Sequence, residues 1–289
     1  MSDRALSGKT MLMSGGSRGI GLAIALRAAA DGARVVLLAK TGDPHPRLEG
    51  TVYTAAEQIE AAGGSAVPVV GDLRSDADVE RAVAAAADAF GGIDIVVNNA
   101  SALNLSPTAS LSMKQYDLLQ DINTRGTFAL TRAALPWLEA AANPHILTLS
   151  PPLDVEPRWF GHSLAYTMSK YGMSLCTLGF AGEFAPTGIA ANSLWPRTTI
   201  GTAAVRNLLG GEVALRRART PDIMADAAHA ILTRDSRACS GNFYIDEDVL
   251  RDEGVTDFRT LLRVPGDYDG ARAMLSELAG RFAEVAARA

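Results

Sequence analysis

Short apolar runs separated by longer alanine-rich segments recur along the chain. The runs are TMLMS (10–14), RVVLLA (34–39), AVPVV (66–70), IDIVVNN (93–99) and HILTLS (145–150), with IAANSLW (189–195) and GNFYID (241–246) as less regular successors. Their length and apolar content mark them as strands, and the segments 19–31, 52–62, 76–90 and 112–140 between them are long enough for helices and patterned like them. Strand and helix alternating in this way predict parallel strands joined by right-handed crossovers. The expected fold class is therefore α/β, a doubly wound parallel sheet of Rossmann type with about seven strands and helices on both faces. No internal repeat and no Gly/Ser- or Pro-rich linker divides the chain, so residues 1–289 read as a single domain. From 247 to 289 the pattern changes, and this stretch reads as a C-terminal extension ending in a helix.

Composition narrows the partners. With 48% hydrophobic and 20% charged residues, 289 residues can bury a large core. A net charge of −5, spread along the chain, offers no basic stripe for nucleic acid. Cys176 and Cys239 are too few for a disulfide framework, no C-x-x-C or histidine cluster suggests a metal site, and a reducing compartment is the expected setting. The polar start and the lack of a long apolar run predict no membrane span and a cytoplasmic chain.

The first strand runs into SGGSRGIGLAIA, where Gly15, Gly19 and Gly21 precede a helical pattern. Glycines allow a sharp turn close to a pyrophosphate, and the helix N-terminus offers free N–H groups and a positive dipole. Gly15, Ser17, Arg18, Gly19, Ile20 and Gly21 are thus candidate dinucleotide-binding residues. At the end of the second strand an acidic residue would take the ribose 2′-OH of NAD, whereas a cation would favour the 2′-phosphate of NADP. Lys40 and Thr41 stand there, Arg18 is nearby, and Asp43 comes three residues past Lys40. NADP (NADPH) is the expected cofactor, the alternative being that Lys40 and Arg18 are solvated loop residues.

Tyr166 and Lys170 are four residues apart and share a face if 164–185 is a helix. An ammonium close to a phenol favours the phenolate and would lower its pKa by roughly 1–3 units, making the pair a candidate proton-transfer device. Taken alone, the spacing is common on helices. In combination, however, the glycine turn, NNA at 98–100 and YTMSK at 166–170 resemble the short-chain dehydrogenase/reductase family over residues 6–246. Within it, LSPPLDVEPRWF, AYTMSKYGMS, NSLWPRTTIGTAA and GNFYIDEDVLRDEGVTDF resemble a hydroxysteroid dehydrogenase-like group, whose members often carry a sterol-carrier domain that this chain lacks room for; the end AARA is not a peroxisomal address.

The resemblance implies an oxidoreductase exchanging hydride between NADP(H) and an alcohol or carbonyl, lipid-like substrates included. It implies that Asp72 contacts adenine, that Asn98, Asn99 and Ala100 steady the sheet and line the cofactor, and that the Asn123 backbone carbonyl holds a water in a proton relay. Tyr166 is then the general acid/base, and Lys170 also binds the nicotinamide ribose. A homodimer or homotetramer through the helices at 112–140 and 164–185 is implied as well. WPRTTIGTAA (195–204) resembles the segment that packs on the nicotinamide and leads into a substrate lid, but Arg197 replaces the usual glycine. Its bulk and charge would narrow the site or bind an acidic substrate group. Trp159, Phe160, Trp195 and Met168 read equally as an apolar wall or as ordinary packing, and His162 as incidental.

The family's serine is missing. It usually lies 13 residues before the tyrosine and hydrogen-bonds the substrate oxygen, but that position is Leu153, and alignment on the strand end gives Pro151. Ser150 is the candidate replacement, with Ser163 and a bound water behind it. The rival functional reading is a dinucleotide-binding sensor or scaffold without catalysis, since fold alone does not establish function.

Overall fold

The computed structural model describes residues 5–46, 48–208, 211–258 and 261. Seven strands, β1 (Thr10–Ser14), β2 (Arg34–Ala39), β3 (Ser65–Val70), β4 (Ile95–Asn98), β5 (His145–Thr148), β6 (Ala190–Trp195) and β7 (Phe243–Ile245), form one sheet in the order β3-β2-β1-β4-β5-β6-β7. Every pairing in it is parallel. The order reverses between β1 and β4, where the strand ends diverge into a crevice, the place at which doubly wound sheets bind ligands.

Among the described residues, ten α-helices flank the sheet: α1 (Gly19–Ala30), α2 (Val52–Ala61), α3 (Asp76–Phe90), α4 (Met113–Leu119), α5 (Gly126–Ala140), α6 (Leu164–Glu183), α7 (Ala203–Leu208), α8 (Gly211–Arg216), α9 (Asp222–Leu232) and α10 (Asp246–Asp252). Alternation along the strands sorts the core into two layers. Met11, Met13, Val35, Leu37, Ile95 and Val97 pack with α1 and α9 residues such as Ile24 and Ile231. Leu12, Val36, Leu38, Val96 and Ile146 pack on the other face with Val79 of α3, Leu130 of α5 and Phe180 of α6. Successive side chains of a strand point to opposite faces, so a near-continuous apolar run serves both layers.

The helix expected over 112–140 is interrupted. A π-helical turn, Gln120–Arg125, lies between α4 and α5. Such a turn inserts one residue into the helical repeat and is frequent at functional sites. The extension expected from 247 is anchored at its start, since Val249, Leu250 and Phe258 belong to the core layer of α1 and α9. The terminal helix expected toward 289 lies outside the described residues.

The segment between β6 and α9 is pinned at its base. Ile200 and Arg219 form an isolated parallel bridge, with Arg219 N donating to Thr199 O at 3.0 Å and Gly201 N to Arg219 O at 2.8 Å. The Arg219 side chain is fully buried, its Nη2 lies 2.5 Å from Glu247 Oε2, and its guanidinium lies 5.5 Å from the Phe258 ring centre.

Candidate active site

The turn between β1 and α1 is fitted against the end of β4. Gly15 and Gly19 have φ of 74° and 60°, a region that favours glycine. A Cβ on Gly21 would lie 2.4 Å from Asn99 Nδ2, and one on Gly15 would lie 2.8 Å from Ala100 Cα. Asn99 Nδ2 donates to Ser14 O at 3.2 Å and Gly15 O at 2.8 Å, while the Ser14 hydroxyl oxygen accepts from Asn99 N and Ala100 N, both at 3.2 Å. The two strand ends are thereby laced together. At the start of α1 the residue in the cap position, Arg18, places no side-chain acceptor on the helix amides. A narrow backbone cradle beside uncapped N–H groups fits a dinucleotide pyrophosphate. Ser17 is buried in this turn, and Ile20 packs against the core.

The two cations expected to read a 2′-phosphate have protein partners. Arg18 donates from Nε to Glu49 O at 2.8 Å and from Nη2 to Gly50 O at 2.6 Å, fastening the β2–α2 loop over the turn. Lys40 Nζ lies 3.1 Å from Asp72 Oδ2. Asp72 also accepts from the Arg74 side chain and backbone N–H, and these bonds, then the one from Lys40, hold its carboxyl well below the usual range.

Asn123 sits on the π-turn and joins three elements. Its Oδ1 accepts from Ala102 N at 2.7 Å, and its Nδ2 donates to Ala102 O at 3.1 Å and to Ser169 Oγ at 2.8 Å. Its backbone carbonyl accepts from Thr127 Oγ1 at 2.7 Å and from the Gly126 backbone N–H, so both lone pairs are taken within the helix and the place expected for a relay water is occupied. Nearby, Thr124 Oγ1 donates to Ser169 O at 3.1 Å, where α6 crosses so closely that a Cβ on Gly172 would lie 2.2 Å from Thr124 Oγ1.

Tyr166 and Lys170 fall on α6 as expected. Lys170 is buried, with Nζ donating to Leu149 O at 2.5 Å and lying 3.2 Å from Met173 Sδ and 5.3 Å from the Trp195 ring centre. Burial lowers its pKa to about 7. The expected depression of the tyrosine is not what the structure shows. Burial pushes the Tyr166 phenol up to about 12, the nearby Ser101 hydroxyl pulls the other way, and the ammonium of Lys170 does not offset it. Lys170 is instead turned onto the end of β5.

Ser150 is not brought to this pair. It is fully buried, its Oγ lies 2.8 Å from Ser193 Oγ, and Ser193 Oγ donates to Thr177 Oγ1 at 2.9 Å. The hydroxyl therefore points into the layer between β6 and α6. Ser150 N donates to Thr148 O, and Pro151 O accepts from Ser174 Oγ at 2.6 Å, so the chain is redirected along α6 as soon as the strand ends. Ser163, the other candidate, is buried at the cap of α6.

The remaining candidates resolve as packing. Arg197 turns away toward α10, pairing with Asp248 and lying 4.0 Å from Glu247, while its backbone N donates to Asp246 Oδ1. Trp159 Nε1 donates to Asp154 Oδ2 at 2.7 Å, Phe160 meets Tyr171 edge-on at 5.1 Å, and Trp195 lies beside Lys170. Met168 is half-exposed, and its place two residues from Tyr166 turns it to the other side of the helix. His162 is exposed.

A nucleotide cradle at the switch point and a tyrosine–lysine helix beside it define a short-chain dehydrogenase. The family model described as short chain dehydrogenase matches residues 9–211, and the chain belongs to that family. It is 52% identical over 261 residues to "Hydroxysteroid dehydrogenase-like protein 2" of Xenopus laevis, an alignment covering 90% of this chain and 62% of the relative. The chain thus spans less than two thirds of that relative's length. A short chain dehydrogenase from Mycobacterium thermoresistibile superposes with a TM-score of 0.86 at 54% identity, covering 90% of this chain and 92% of that one. A metagenomic short-chain oxidoreductase in complex with NADP gives a TM-score of 0.68 at 26% identity, covering 83% of this chain and 97% of that one.

Proposed function

We propose that the protein is an NADP(H)-dependent oxidoreductase that interconverts an alcohol and its carbonyl, with lipid-like substrates among the candidates. The observation carrying this reading is the Tyr166 phenol and Lys170 ammonium on one face of α6, beside the switch-point cradle. Gly15, Ser17, Arg18, Gly19, Ile20 and Gly21 would hold the pyrophosphate, Asp72 the adenine, and Asn99 and Lys170 the nicotinamide end. When bound, the nicotinamide supplies or accepts the hydride. Tyr166 moves the proton. In reduction its O–H proton passes to the carbonyl oxygen and the phenolate is reprotonated from solvent; in oxidation the phenolate takes the alcohol proton. A phenol held near 12 is protonated at neutral pH, the form that donates to a carbonyl oxygen. Ketones, fatty acyl derivatives and steroids, screened with NADPH for loss of its absorbance, test the reading. Tyr166→Phe should lower turnover about 10²- to 10⁴-fold while cofactor affinity is kept. Failure of every carbonyl would favour the rival sensor or scaffold reading, to which the buried Ser150 gives its support.

The preference for NADP rests on Lys40 and Arg18. The Lys40–Asp72 pair is partly exposed, with side chains 59% and 24% accessible, and such pairs are worth little, so a phosphate can compete for the ammonium. NADP(H) is expected to bind at least about tenfold more tightly than NAD(H), a difference of about 1.4 kcal/mol, by calorimetric titration. Equal affinities, or an unchanged preference in Lys40→Ala, would overturn it. A homodimer or homotetramer in a reducing cytoplasmic setting completes the proposal, supported by exposed Phe128, Leu175 and Leu178 and by two free cysteines.

A further inference from the structure

The chain leaving β6 crosses the candidate site. At one end of the stretch 195–202 the Trp195 ring centre lies 5.3 Å from Lys170 Nζ; at the other, a Cβ on Gly19 would lie 3.3 Å from Thr202 Cγ2. The stretch therefore runs as a strap from the tyrosine–lysine helix to the glycine turn, across the crevice between them. Regular structure does little to hold it, since between β6 and α7 the described residues show only the Ile200–Arg219 bridge. Two carboxylates at the start of α10, directly after β7, hold it instead. Asp246 is fully buried, and its Oδ1 accepts from Arg197 N at 2.9 Å and from Glu247 N at 2.7 Å. Bonds to an ionised acceptor are the strong ones. Glu247 steadies the other foot, because Arg219, whose Nη2 lies 2.5 Å from Glu247 Oε2, is bonded through its backbone to Thr199 O and Gly201 N.

We propose that Asp246 is a positioning residue of the candidate active site, its carboxylate holding the strap 195–202 across the crevice so that the strap closes over a bound cofactor. This rests on the oxidoreductase reading and deepens it by naming what fixes the roof of the cofactor site. Asp246 acts through the backbone of Arg197. The Arg197 side chain is paired with Asp248, so this residue is tied to α10 twice and its guanidinium is drawn away from the crevice. Stability alone does not account for the carboxylate. Its Oδ2 has no hydrogen-bond donor among the described residues, and burial pushes the carboxyl up to about 6. A buried charge satisfied on one oxygen only is costly, and an apolar side chain of similar volume would pack there without that cost. What an apolar residue could not do is accept from Arg197 N and fix the course of the strap.

The test uses the full chain with Trp137→Phe and Trp159→Phe, which leaves Trp195 as its only indole. Acrylamide quenching of that fluorescence without cofactor reads how firmly the strap is seated, and calorimetric titration with NADPH reads the site beneath it. Asp246→Ala should raise the quenching and weaken NADPH binding by about tenfold, the size of one lost hydrogen bond to a charged acceptor. Asp246→Asn keeps a carbonyl oxygen for Arg197 N and Glu247 N and should restore both readings. Asp246→Leu fills the space without an acceptor, so it should repeat the alanine result even where the alanine variant is too unstable to measure. With a carbonyl that the parent reduces, KM for NADPH should rise more than kcat falls. A folded Asp246→Leu with parental quenching or parental NADPH affinity would overturn the proposal, as would quenching that rises equally in Asp246→Asn. If the parent neither binds NADPH nor reduces a carbonyl, the oxidoreductase reading fails, and the quenching comparison still decides whether Asp246 holds the strap.

Discussion

At Lys170 chemistry and stability pull apart. The side chain is buried and its pKa falls to about 7 through loss of hydration, from an ordinary value of 10.5. The unfolded chain binds this proton up to the ordinary value, while the folded chain releases it near neutrality. Between the two the unfolded state holds more protons, so stability rises with pH across that window. Lys170→Met removes the penalty of the buried cation. It should melt higher than the parent at pH 6 to 7, with the gain shrinking toward pH 10 and above, and it should lose activity. Scanning calorimetry across that range checks it, and equal melting temperatures at pH 6 would refute the account. Tyr166 and Lys170 were legible in the sequence because helical spacing is local and independent of what surrounds it. The direction of the Tyr166 shift was not, because it depends on how much water the fold removes. Nor was the facing of Ser150, since a strand end can turn a hydroxyl to either side of the sheet and only the packed β6–α6 layer decides which.

Helices and strands were read well where one pattern covered the whole element. β1 and β2 fall where the apolar runs place them, and α3 spans its alanine-rich segment between Ser75, whose side chain caps it, and Gly91 in the left-handed region. β4 was expected over 93–99 and is shorter, Ile95–Asn98, because its ladder extends only as far as its neighbours β1 and β5 pair with it. The π-turn was hidden, because one extra residue leaves the apolar pattern on both sides intact. The weak helix propensity of Asn123 was the only local sign. The turn's close approach to α6 yields a prediction. Gly172→Ala would press a methyl group onto Thr124, which is already bonded to Ser169. Overpacking of this kind costs about 1–3 kcal/mol. Urea denaturation should show a lower midpoint with an unchanged slope, and the Asn123 contacts should loosen enough to reduce turnover. A variant as stable as the parent would mean that α6 shifts freely.

On the scale of the whole molecule, a parallel sheet with helices on both faces was expected from alternation alone, whereas the order of its strands and the exposed apolar surface were visible only once the elements were placed. Leu164, Met168, Leu175 and Leu178 are 40%, 42%, 57% and 49% exposed and fall along one side of α6, away from Tyr166. On the proposed homodimer or homotetramer, Leu175→Asp with Leu178→Asp should yield monomers by light scattering; an unchanged mass would place the contact elsewhere.

The pinned base of the segment between β6 and α9 has its own consequence. Because the Ile200–Arg219 bridge and the buried guanidinium of Arg219 close the two feet of the excursion onto the body of the fold, what lies between them is a cassette. Lengthening it costs only the slowly growing entropy of a longer loop, so different inserts can be exchanged above the crevice without reopening the sheet. A scaffold arranged in this way can vary one stretch of chain while the cradle and the tyrosine stay where they are.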